Sequence, residues 1–286
     1  MNAVDTFYEE ILAELDAGTL VLPTLPDVAL RMNEVAADPE ATIADMTEVV
    51  ATDAVLSTQL LKTANSPLYR GRYPVETVQA ALSRLGLKMI KSLVNSLVLE
   101  QLFVAESELI AERLEDLWQH NVEVAATCRV LSSKVPGMSA EEVMLAGLIH
   151  DIGVLPILLK AQGMPDLMRD SALLNSVIDK LNTRIGVAIL QKWAFSERFI
   201  AVVAEHENLE RDSANGPDMV DIVQVANLQS HCAHHAVRSA QELAAVPAFH
   251  KLDVQTDVQV VELDENSEEY AEALALFGAR QAAGAA

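Results

Sequence analysis

Gly147-Leu148-Ile149-His150-Asp151-Ile152-Gly153 sets an adjacent imidazole and carboxylate inside an apolar, helix-like run. Such groups are seldom enclosed by aliphatic side chains unless they pair or bind a metal. Neighbouring helical residues point about 100° apart, so both can reach one ion only at close quarters. Just upstream, Ser139-Ala140-Glu141-Glu142 reads as a capping box that opens the helix carrying the pair. The stretch is therefore read as part of a buried helix, and the remaining sequence is read for the helices that enclose it.

Those helices are legible on both sides. Pro26 to Ala37 presents Val28, Leu30, Met32 and Val35, and Asp38-Pro39 stops it. Thr42, with Asp45 three residues on, caps the next helix, whose inward residues are Met46, Val49, Val50 and Ala54. Leu56 to Ala64 continues the pattern as a separate helix. Asn65-Ser66-Pro67 and Gly71-Arg72-Tyr73-Pro74 are breaks. Val78, Ala81, Leu82 and Leu85 follow helical spacing to a C-cap at Gly86, and Ile90 to Val98 forms the next face. A long helix is expected over Ser107 to Lys134, ended by Pro136-Gly137, and further helices over about 171–193, 196–206 and 217–240. Val254, Val258 and Val260 hint at a short strand, and 265–280 reads as an acidic helix.

Composition agrees with an all-α fold. Of 286 residues, 51% are hydrophobic but only 4% aromatic, and Gly and Pro number just 11 and 10, so the core is aliphatic and helix-forming. Forty-two acids against 20 basic residues leave a net charge of −22, which repels phosphate backbones and anionic membranes and argues against both as partners. Two cysteines, Cys128 and Cys232, make no disulfide framework. The acidic N-terminus lacks a basic leader, and no apolar run reaches about 18 residues without a charge. The expected location is the cytoplasm.

Several landmarks fall in a specific order: Leu22-Pro23-x-Leu25-Pro26, Asp38-Pro39, Leu60-Leu61-Lys62-Thr63-Ala64-Asn65-Ser66-Pro67-Leu68-Tyr69 and Leu117-Trp118-Gln119-His120. The His150-Asp151 run, Gly186-x5-Lys192-Trp193 and His206-Glu207 complete it. In this order and spacing the chain resembles the HDOD domain, a bacterial signalling module related to the HD phosphohydrolase superfamily. The resemblance spans about residues 18–230. It implies an N-terminal helical bundle (18–106) packed on a degenerate HD-type helical half (107–230), joined near 104–112. Residues 1–17 would be an N-terminal helix or extension, and 231–286 the end of a helix and an acidic tail.

The resemblance also implies where a metal would sit. His120 is the first ligand and His150-Asp151 the pair, while the closing position holds Asn227 where HD enzymes carry Asp. His206 is retained at a further ligand position, but Glu207 follows it where a second His is common. Leu181-Asn182-Thr183-Arg184 lacks the His usual there and brings a cation. An uncharged closing ligand binds a divalent ion weakly, so the expectation is a vestigial or low-affinity site at His120, His150, Asp151, His206 and Asn227, with no catalytic residue and no cofactor. One divalent metal ion is the alternative.

Other candidates carry less. His231 and His235, with Cys232 and His234 between them, share a helix face but lack further ligands nearby, so a plain helix is the simpler reading. Arg70 and Arg72 suit either a phosphate or salt bridging to the acidic surface. Trp118 and Trp193 read as core anchors. The functional expectation is a non-catalytic regulatory module that binds a signalling protein or a small-molecule ligand, with a homodimer compatible. The alternative is a metal-dependent phosphohydrolase acting on a nucleotide or cyclic dinucleotide.

Overall fold

In the computed structural model, residues 3–105, 108–164, 167, 170–214, 216–230, 239–257, 259–262 and 264–277 are described. Every regular element among them is helical. The N-terminal half contains α1 (Ala3–Asp16), α2 (Asp27–Ala37), α3 (Ile43–Ala51), α4 (Ala54–Asn65), α5 (Val78–Leu85) and α6 (Leu87–Leu99). The second half contains α7 (Glu108–Leu131), α8 (Ala140–Ile149), α9 (Val154–Ala161), α10 (Ser171–Lys192), α11 (Glu197–Glu205) and α12 (Met219–Leu228). Two short helices, α13 (Ala240–Ala244) and α14 (Pro247–Lys251), precede α15 (Asp264–Leu276).

Local chemistry fixes the boundaries. Thr42 accepts from the Asp45 amide while the Asp45 carboxylate takes the Thr42 amide, a complete capping box at α3. Asp53 caps α4 separately, so Ala54 starts a new helix and is exposed rather than inward. Gly86 sits at φ 83°, a left-handed conformation that lets α5 end and α6 begin at one residue. The Asn65 side chain bonds both the amide (2.9 Å) and the carbonyl (2.8 Å) of Val75, pinning the intervening loop. Arg84 ties the same loop to Ala64 O at 3.0 Å and to the Tyr73 carbonyl.

Three features differ from expectation. His150 and Asp151 stand on a turn after α8 instead of inside a regular helix: the Ile152 amide bonds the Ile149 carbonyl and the Val154 amide the Asp151 carbonyl, three residues back, before α9 begins. The last core helix stops at Leu228, well before residue 240. Val260 lies in a 3₁₀ turn, and no strand occurs among the described residues. The run Ala140–Ala161 is apolar and long enough to cross a membrane, yet 83% of its most apolar window is buried in the core, so its hydrophobicity serves packing.

The core is shared. One apolar cluster runs from Phe7 and Ile11 through both halves to Ala273, Leu274 and Phe277. A second joins Cys128, Val143, Val202, Ile222, Val223, Phe249 and Val260. Trp118 packs against Phe103 and Phe277, and Trp193 donates to the Pro23 carbonyl at 3.1 Å. Buried Arg129 lies at the seam: it donates to Tyr69 Oη (3.2 Å) and Glu141 Oε1 (3.1 Å) and pairs with Glu269 of α15 (3.1 Å). The acidic tail thus contributes a helix and a carboxylate to the fold.

Candidate metal centre

Close backbone approach builds the site. A Cβ on Gly147 would lie 2.7 Å from Ala125 Cα, so only glycine lets α8 seat on α7. A Cβ on Gly153 would lie 2.0 Å from the Asn182 carbonyl, so only glycine lets the start of α9 touch α10. These two contacts bring His120 of α7, the His150-Asp151 turn and Asn182 of α10 together, and His206 follows α11.

The ring nitrogens converge. His120 Nε2 lies 3.3 Å from His150 Nε2 and 3.7 Å from Asp151 Oδ2. His150 Nε2 is 3.3 Å from Asp151 Oδ2, and His206 Nε2 is 3.2 Å from Asp151 Oδ1. The opposite nitrogens are spoken for. His150 Nδ1 meets the Gly147 carbonyl at 2.7 Å, and His206 Nδ1 meets the Val202 and Val203 carbonyls at 3.1 Å. A carbonyl only accepts, so both Nδ1 atoms carry hydrogen. His120 Nδ1 lies 3.2 Å from Ser230 Oγ, whose hydroxyl donates to Glu123 Oε2 at 2.9 Å, so this Nδ1 donates too. Wherever His120 and His150 carry no second proton, their Nε2 lone pairs aim at each other and at a carboxylate. That arrangement repels unless a cation or a proton sits among them, and imidazole with carboxylate is a donor set for a borderline divalent ion.

Burial alone would raise the Asp151 carboxyl, but the charge and hydrogen bond of His150, and then those of His206, hold it well below the carboxylate range. Burial opposes protonation of His206, yet the Asp151 hydrogen bond and the charges of Asp151 and Glu207 raise its pKa. Without metal, a proton on His206 serves Asp151.

Glu207 also reaches the site, with Oε1 3.7 Å from His206 Nε2. His120, His150 and Asp151 form one possible metal-holding triad, and Asp151, His206 and Glu207 form another, each with ligand atoms within 4.8 Å of one another. Asn227 is buried, and its Oδ1 has no hydrogen-bond partner among the described residues. Beside the cluster opens a cavity of about 250 Å³, lined by His120, Asp151, Asn182, Glu207, Arg113 and Asp179 among others.

One expected neighbour is elsewhere. Arg184 pairs with Asp16 at 3.0 Å on the surface and brings no charge to the centre. It lies two residues from Asn182, about 200° around the helix, so the two cannot face the same way. Three participants escaped the sequence reading. Asn182 donates to Asp151 (2.6 Å) and Glu207 (3.1 Å), and Ser230 with Glu123 supports His120. Glu123 is three residues past His120, a helical spacing that marks it as a neighbour; Asn182 registers only as a missing histidine, and Ser230 carries no local signal. Arg70 and Arg72 are exposed, with Arg72 over the Tyr73 ring at 5.4 Å. The cluster from His231 to His235 lies outside the described residues.

A family model for the HDOD domain matches residues 22–209. The chain belongs to the HDOD family. The fold of this HDOD protein is similar to the crystal structure of a "Putative metal-dependent phosphohydrolase" from Shewanella amazonensis SB2B, at TM-score 0.84 and 28% identity over 97% of this chain and 100% of that one. It is also similar to a "Putative signal transduction protein" from Marinobacter aquaeolei VT8, at TM-score 0.62 and 19% identity over 97% of this chain and 66% of that one. A curated relative, an uncharacterized protein of Treponema pallidum (strain Nichols), is 22% identical over 221 residues, 72% of this chain. The match spans 42% of that relative's length.

Proposed function

We propose that this HDOD protein is a cytoplasmic signalling module that acts by binding and not by catalysis. One divalent ion is held by His120, His150 and Asp151, with Asn227 as an uncharged closing ligand. The cavity beside it takes a small polar ligand or a side chain of a signalling partner. The observation that carries this reading is the inward convergence of two imidazole Nε2 atoms on a single carboxylate. Bound there, the ion would polarise an oxygen of the ligand. The chain's own residues position it: Gly147 and Ser230 orient the imidazoles, and buried aliphatic side chains keep bulk water out.

The phosphohydrolase reading draws support from the second triad and from the likeness to the Shewanella protein. Against it stands charge: two cations side by side need several anionic ligands, and Asn227 supplies none. The test is elemental analysis after equilibration with Mn²⁺ or Zn²⁺, run beside assays on a generic phosphodiester and on cyclic dinucleotides. The expected result is one ion per chain, lost in Asp151→Ala, without turnover. Turnover abolished by Asp151→Ala would establish the hydrolase instead.

A further inference from the structure

We infer that Asn182 limits the centre to a single ion, its amide standing where a second divalent cation would draw its ligands. This rests on the one-ion reading above. The two triads share Asp151 and use different faces of it: Oδ2 turns to His150 and His120, Oδ1 to His206. The second triad is thus assembled in outline, with two carboxylates and an imidazole within 4.8 Å. What fills it is the Asn182 amide. Its nitrogen lies 2.6 Å from Asp151 Oδ1 and 3.1 Å from Glu207 Oε1, one hydrogen for each carboxylate.

The orientation is forced. A flipped amide would set its oxygen against two carboxylates at those distances. As placed, Oδ1 is buried and without a hydrogen-bond partner among the described residues, so the arrangement sacrifices one acceptor to satisfy two anions. A cation at the second triad needs the same carboxylate lone pairs. Asn182 satisfies them with neutral donors, which lowers the gain from binding metal and occupies the space. Nor can the residue drift aside, because the Gly153 contact holds its backbone against the start of α9. Asn182 is a positioning residue that sets how many ions the cleft accepts.

The adjoining cavity leaves room for a larger side chain at 182. Asn182→His exchanges the donor for an imidazole that can ligate, and Asn182→Ala removes the donor altogether. Both are to be titrated with Mn²⁺, with bound metal counted and low-temperature electron paramagnetic resonance recorded. Far-UV circular dichroism checks folding. The wild type should bind one Mn²⁺ with an isolated-ion spectrum. Asn182→His should bind two with exchange-coupled lines, and Asn182→Ala should also take a second ion, more weakly. Asn182→Ala only deletes atoms beside a cavity, so it decides the matter if the imidazole disrupts folding. One ion in the wild type and still one in the folded variants would overturn the role of Asn182 while leaving the one-ion site standing. Two ions in the wild type would overturn it as well. No ion in the wild type would overturn the one-ion reading, and this inference with it.

Discussion

The two halves of this chain treat buried polarity in opposite ways. Between α2 and α6 the enclosed polar residues among the described side chains are few and uncharged: Thr63, Ser92, Asn95 and Ser96. From α7 onward the interior holds His120, Glu123, Arg129, Glu141, His150, His206 and Asp221. Each buried ionisable group must find partners or lower stability by several kcal/mol. The first half is a support whose sequence need only be apolar at helical spacing. The second accepts polar groups inside and is shaped around what they hold.

The sharpest break in that contrast would come from Gly153→Ala. The added methyl would press on the Asn182 carbonyl, a backbone atom that cannot swing aside. We expect a loss of about 4 kcal/mol or more in chemical denaturation, and loss of Mn²⁺ binding in whatever fraction stays folded. Leu82→Ala in the first half should lower stability by about 2–5 kcal/mol, since Leu82 is fully buried. It should leave metal stoichiometry alone. Lost metal binding in folded Leu82→Ala protein would show that the halves are not separable in function.

Next comes pH, which should act on metal binding through the second half. The His206 pKa is raised in the folded protein. Its stabilisation of the metal-free state is present below the ordinary imidazole value of 6.5 and fades as pH rises through the folded pKa. Asp151 is depressed, so its contribution is present above 3.8 and fades as pH falls through its folded pKa. A protonated His206 on Asp151 Oδ1 repels a cation held at Oδ2, so Mn²⁺ affinity should rise with pH across the His206 titration. Thermal melts with and without Mn²⁺ from pH 5 to 9 would test this. A metal-induced shift in Tm independent of pH would contradict it.

The smallest effect is expected at Arg184→Ala, within about 0.5 kcal/mol, because its pair with Asp16 is exposed. Mn²⁺ affinity should not change; a change would return Arg184 to the centre.

Sequence alone carried the first half almost entirely. The Thr42–Asp45 box, the Gly86 cap and the spacing of Val78 to Leu85 are local signals, and local structure obeyed them. The centre was legible where ligand types are distinctive, at His120, His150, Asp151, His206 and Glu207, which the fold brings together. It was illegible where an ordinary residue acts through position. Asn182 registers in the pattern as a missing histidine, and its two carboxylate bonds exist only because Gly153 lets two helices touch. Arg184 was misplaced for the complementary reason: proximity along a helix is not proximity in space.

Phe7 and Ile11 share an apolar cluster with Ala273, Leu274 and Phe277, and α1 is tethered to the later helices by Glu14–Lys160 and Asp16–Arg184. During synthesis the N-terminus emerges first, at about 5–20 residues per second, so α1 waits roughly 10–50 s for its final packing partners. Through that interval the nascent chain keeps greasy helix faces uncovered at the ribosome exit. A product released before α15 would be a chaperone client with an unfinished interior, not a shorter working module.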